Sequence, residues 1–148
     1  MLTEASRVRP GVETGRYAPV GAVVVGLAFG GVVLSHASGL EGPASWDHKG
    51  ARYIFRPASG DCAIYALDVE RLDVGLDAIL DSMLQSISTA SSLATWTEIE
   101  VVAKLRDQPA HLVLRAALEL PRTSLHKLFG INAVQLNHPY LSITVGHL

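Results

Sequence analysis

With only one cysteine, Cys62, an internal disulfide and any multi-cysteine metal site are excluded. A lone thiol of this kind is expected as a small buried residue. Cationic excess is also missing. Twelve Lys and Arg stand against fourteen Asp and Glu, so no basic field calls for nucleic acid. The six histidines, His36, His48, His111, His126, His138 and His147, never recur at the short spacings of a metal-binding helix or hairpin. No metal and no cofactor is expected. A GxSxG elbow is absent, and Ser45, Asp47 and His48 are neighbours in sequence rather than a triad assembled from distant positions. Gly26-x-x-x-Gly30-Gly31 lacks the Lys-Ser/Thr of a phosphate loop. Glu98 and Glu100 read as a solvated helix face. The chain is therefore expected not to be an enzyme.

Charge of either sign is missing from Tyr17 to Leu40, YAPVGAVVVGLAFGGVVLSHASGL, although charged residues make up 18% of the chain and a gap this long is improbable by chance. A helix rises about 1.5 Å per residue and roughly 20 apolar residues cross a bilayer. The stretch therefore predicts one membrane-spanning helix over residues 17–40. Ala18, Ala22, Gly26 and Gly30 recur every fourth position and would line one side of it, a pattern through which helices pack in lipid. His36 and Trp46 would anchor its far end at the headgroups. Lys and Arg flank the stretch equally, so orientation stays open. Arg7, Arg9 and Arg16 ahead of the run, with Ser35-x-Ala37 after it, also fit a secretory leader.

A further reading folds the same residues into a core β-hairpin over 20–36, VGAVVVGLA and VVLSHAS joined at Phe29-Gly30-Gly31, since valine favours strands and Gly-Gly favours turns. FGGVVL at 29–34, Ala58-Ser59-Gly60-Asp61 and the position of Lys49 resemble segments of proteasome β-type subunits. That resemblance implies a hydrolase-like fold. Its nucleophilic threonine would fall at Gly21 or Ala22, and no aspartate follows Leu34, so the implied fold would be without activity.

The remainder divides by period. Residues 1–16 hold three arginines, two glutamates, Pro10 and Gly11 with no apolar repeat, and read as an exposed tail. ARYIF and CAIYAL, on either side of Arg56-Pro57-Ala58-Ser59-Gly60-Asp61, read as a hairpin over 51–67. Leu72, Leu76, Ile79, Leu80, Met83 and Ile87 predict a helix from Asp68 or Asp73 to about Ser88. Thr95-Trp96-Thr97-Glu98 matches a capping box, predicting a helix from Trp96 to Arg106. Further helical segments are expected over Pro109–Leu120 and Ser124–Phe129, the second closed by Gly130. Ile131–Leu136 and Tyr140–Val145 read as strands, with Leu141, Ile143 and Val145 on one face.

The expected fold class is thus α+β and helix-rich. It comprises a tail (1–16), a single N-terminal transmembrane helix (17–40) and a small extramembrane domain of about three helices with short strands (41–148). The matching function is a non-catalytic, single-pass accessory subunit of a larger membrane complex, in an organellar or bacterial inner membrane. Its partners would be other transmembrane subunits and lipid, with no nucleic acid. The alternative is a soluble or secreted α+β domain built on the core hairpin.

Overall fold

The computed structural model describes residues 21–36, 39–120 and 123–148. In chain order, β1 (Val23–Ala28), β2 (Gly31–Ser35), β3 (Ala44–Trp46), β4 (Arg52–Arg56) and β5 (Tyr65–Arg71) precede four helices. These are α1 (Ala78–Ile87), α2 (Ser92–Arg106), α3 (Ala110–Glu119) and α4 (Leu125–Phe129), and β6 (Asn132–Leu136) and β7 (Leu141–His147) follow. All pairings are antiparallel, in a four-stranded sheet ordered β1-β2-β4-β3 and a three-stranded sheet ordered β5-β7-β6.

The predicted transmembrane helix over 17–40 is corrected by β1 and β2. No helix among the described residues is long and apolar enough to cross a membrane. The membrane-based fold class falls with it: strands outnumber helices among the described residues. The core hairpin of the alternative reading is what forms. Its turn is Phe29-Gly30, with φ of 51° and 75°. Positive φ at both central residues is the handedness that matches the twist of a two-residue hairpin. Glycine adopts it freely, whereas Phe29 is held there by its ring. That ring lies 4.7 Å from His147 and 5.8 Å from Tyr65. The run looks uniformly apolar because β2 is buried on both faces. Val33 points into the core and Leu34 points outward, and both are almost inaccessible. A strand covered on two sides loses its polar alternation and mimics a segment in lipid.

The sheets stack face to face. Ala28, Val33, Tyr53 and Phe55 pack against Leu67, Val69, Leu141, Ile143 and Val145. The second core lies on the far side of the three-stranded sheet, between Ala66 and Ile131 and the helices. It is built on Leu84, Ile99, Val102 and Val113. The result is three layers, sheet on sheet with helices covering one outer side. Helix α2 is central. Ser91 caps it by accepting the Ala94 amide at 3.1 Å, and Asp107 ends it in the left-handed region at φ 52°. Gly146 of β7 lets it approach: a Cβ there would meet Val101 Cγ1 at 2.6 Å.

Other expectations also shift. β4 and β5 lie in different sheets, so residues 51–67 are not one hairpin. β5 runs on to Arg71, and α1 starts at Ala78 behind the Asp77 cap, later than the apolar period predicted. Thr95 lies inside α2 and its hydroxyl donates to Ser91 O, so the capping box is not formed. Cys62 is exposed rather than buried. The expected tail, 1–16, lies outside the described residues.

Candidate functional site

The outer face of the four-stranded sheet follows from register. Val33, Tyr53 and Phe55 point inward, so their neighbours Val32, Leu34 and Ile54 point outward. Val24↔Leu34, Leu34↔Ile54 and Ala44↔Ile54 make one cross-strand row, and Leu27↔Val32 and Val32↔Arg56 make the next. Leu34 and Ile54 are covered by Leu40, Val32 and Ala44. Toward β1 the cover thins: Val23, Val24 and Leu27 are 50%, 43% and 67% exposed. Among the described residues β1 is also the margin of its sheet, and it carries no charged residue or proline, the usual guards of an open strand. Across the whole sheet the strands contain no carboxylate.

The residues nominated as a helix-packing stripe do not share a helical face. Gly26 sits at a bulge in β1 beside Leu136, Gly30 is in the hairpin turn, and Ala22 lies just before β1. Ala18 lies outside the described residues. His36 follows β2 with φ 53°, and Trp46 ends β3 with the Arg52 guanidinium 5.4 Å from its ring centre. Neither stands at the end of a helix.

Three polar clusters are closed on themselves. In the first, buried Asp47 accepts the Lys49 and Ala51 amides through Oδ1 at 2.9 and 3.0 Å, and the Tyr53 hydroxyl through Oδ2 at 3.0 Å. Burial alone would raise the Asp47 pKa, but these donors outweigh it and hold the carboxyl below its usual range. Burial and the facing carboxylate push Tyr53 up to about 12. Beside them His48 Nδ1 meets Glu70 Oε1 at 2.8 Å, and Arg71 and Lys49 both reach Asp73. In the second cluster, Lys104 Nζ donates to Leu67 O at 2.6 Å and lies 3.3 Å from Asp68 Oδ1, while Ser45 Oγ accepts the Val69 amide at 2.9 Å. Burial raises Asp68 to about 6 against the opposing pull of Lys104. In the third, Thr97 of α2 bonds Ser142 at 3.1 Å and Thr144 at 2.8 Å, and Gln135 donates to Thr97, Thr144 and Ala94 O. None of these clusters presents a nucleophile beside an available base. Among the described residues no three His, Cys, Asp or Glu are arranged to hold a metal ion.

A fourth cluster borders open space. A cavity of about 690 Å³ lies between the end of α1, the first half of α2 and residues 123–126. On its wall His126 Nδ1 meets Glu98 Oε2 at 3.0 Å. Ser124 Oγ is buried there with no hydrogen-bond partner among the described residues. Sequence reasoning missed this pairing. The sequence reads Glu98 as part of a solvated face, and nothing in the spacing of residues 98 and 126 announces that α4 returns to α2.

No protein-family model, no curated protein and no solved structure matches this chain.

Proposed function

We propose that the protein is a non-catalytic assembly module that pairs with a second copy of itself through β1. One observation carries this: among the described residues β1 is an uncharged sheet margin that leaves Val23, Val24 and Leu27 exposed. An unpaired strand presents a row of free amides and carbonyls, and apolar side chains beside them favour the arrival of another strand. Antiparallel pairing of β1 with β1 of a second copy is self-complementary about a two-fold axis. It brings no like charges together at the seam, because the arginines of the sheet stand on β4, two strands away. The four-stranded sheet would continue across the axis into one of eight strands. A contact built on one short strand falls at the small end of interface sizes, so micromolar association is expected.

Light scattering coupled to size exclusion, run on the full chain from about 1 μM to 1 mM around that expected affinity, tests the reading. The expected result is a shift from monomer to dimer with rising concentration. Leu27→Lys combined with Val24→Lys should hold the chain monomeric with an unchanged circular dichroism spectrum. A wild-type chain that stays monomeric over the whole range would refute the module.

A further inference from the structure

We infer that His48 is a proton-operated clasp: its imidazolium ties the loop between β3 and β4 to residues 72–77 ahead of α1, and loss of one ring proton lets that segment go. Self-pairing through β1 plays no part in it. Both ring nitrogens of His48 face carboxylates, Nδ1 lying 2.8 Å from Glu70 Oε1 and Nε2 3.6 Å from Asp73 Oδ1. A carboxylate oxygen accepts and does not donate, so each contact asks the ring for a proton. A neutral imidazole has one N–H and cannot serve both acids, whereas the imidazolium has two. His48 reaches them because Asp47 folds the loop tightly. Asp47 Oδ1 takes the Lys49 and Ala51 amides, and Gly50, at φ 86°, donates to Asp47 O.

The two contacts are unequal, and the inequality decides which proton leaves. Glu70 Oε1 also accepts the amides of His48 and Arg71, each at 3.0 Å. A nitrogen lone pair only 2.8 Å from that oxygen would be repelled, so Nδ1 keeps its proton. The proton released to water is the one on Nε2, and the ring is left as the Nδ1–H tautomer. Nε2 then turns a lone pair toward Asp73, and attraction becomes repulsion. Asp73 does not relieve this by taking up a proton. The fork of Arg71, 3.2 Å from each of its oxygens, holds its carboxyl below the usual range. Half exposed and beyond the end of β5, Asp73 is the partner that yields. The other charges around the ring are steadier. Lys49 Nζ lies 3.6 Å from Asp73 Oδ2. Behind the loop Asp47 is held below its usual range, and Tyr53 is pushed up to about 12. His138 and Tyr140 stand on the far side of Leu72, whose amide bonds Tyr140 O. Histidine is the side chain that ordinarily changes charge between about pH 5 and 8.

Nuclear magnetic resonance of the isotope-labelled full chain, recorded from about pH 5 to 8, tests the clasp. Long-range proton–nitrogen spectra should show His48 protonated on both nitrogens at the low end and as the Nδ1–H tautomer at the high end. The carboxyl carbon of Asp73 should shift with the same midpoint as the His48 ring. The heteronuclear Overhauser effect of residues 72–77 should fall across that interval, while that of α2 stays constant. His48→Gln should abolish the Asp73 step and leave the segment indifferent to pH. His138→Gln should keep both responses, since His138 borders Leu72 without meeting either acid of the clasp. An Nε2–H tautomer at high pH would overturn the inference on the wild-type chain alone. So would an Asp73 step that survives His48→Gln, or a segment whose mobility is the same at both ends of the titration.

Discussion

A single carboxyl, Asp68, ties the pH response of the protein to its layering. It lies on β5 at the join between the sheets and α2, 3.3 Å from Lys104. Burial raises its folded pKa to about 6, with Glu100 and Glu70 adding to the rise and Lys104 opposing it. In the unfolded chain an aspartate titrates near 3.9. Between these values the folded state holds a proton that the unfolded state has released. Stability from this group is therefore full below about pH 4 and declines as pH climbs to about 6, by about 3 kcal/mol over the window. Asp68→Asn keeps the shape and cannot ionise. Urea melts from pH 4 to 7 should show the gap between variant and wild type growing in favour of the variant up to about pH 6 and then levelling off. A gap independent of pH would mean that the carboxyl is ionised throughout.

At the level of elements, α2 depends on the small residue beneath it. Gly146 sits in β7 under Val101 and Leu105, with Asn132 O 3.1 Å from where a Cβ would stand. A valine there must displace the helix or the strand. Gly146→Val is expected to cost about 3 kcal/mol or more, read as a lowered urea midpoint, since overpacking of a fixed interface is relieved only by backbone shifts. Gly75, which meets nothing within 4 Å, serves as control: Gly75→Ala should leave the midpoint nearly unchanged. The same elements show how far the sequence could be read. Strand β7 was legible because Leu141, Ile143 and Val145 face one sheet while Ser142 and Thr144 meet α2. Helices α3 and α4 were legible from Pro109, Pro121 and Gly130, which mark their ends whatever packs on them. The start of α2 was misplaced because the cap that forms, Ser91, lies one turn ahead of the Thr95 signal. Tertiary packing decided between them: Thr95 and Thr97 are buried in the helix. β1 and β2 were misread because the sequence does not record which partner removes an apolar side chain from water. A sheet on one side and Leu40 with Ala44 on the other conceal Val33 and Leu34 as completely as lipid would. The pairing of Glu98 with His126 was illegible for a related reason. It depends on where the chain turns after α3.

For the molecule as a whole, the two long margins of the stacked sheets are fastened differently. On the β3/β5 side, hydrogen bonds cross between the sheets: Ser45 Oγ takes the Val69 amide, and Lys104 reaches carbonyls of both Ala44 and Leu67. On the β1/β6 side the layers meet through apolar contact, with Leu136 lying against Gly26. The body is therefore bound like a book, with its spine along β3 and β5 and its pages free along β1 and β6. Thermal opening should begin at the free side, because sub-global fluctuations start where the fewest cooperative bonds must break. Deuterium uptake by dilute protein should be quicker in β1 and β6 than in β5, and β1 alone should slow as concentration rises and a second copy closes over the fore-edge.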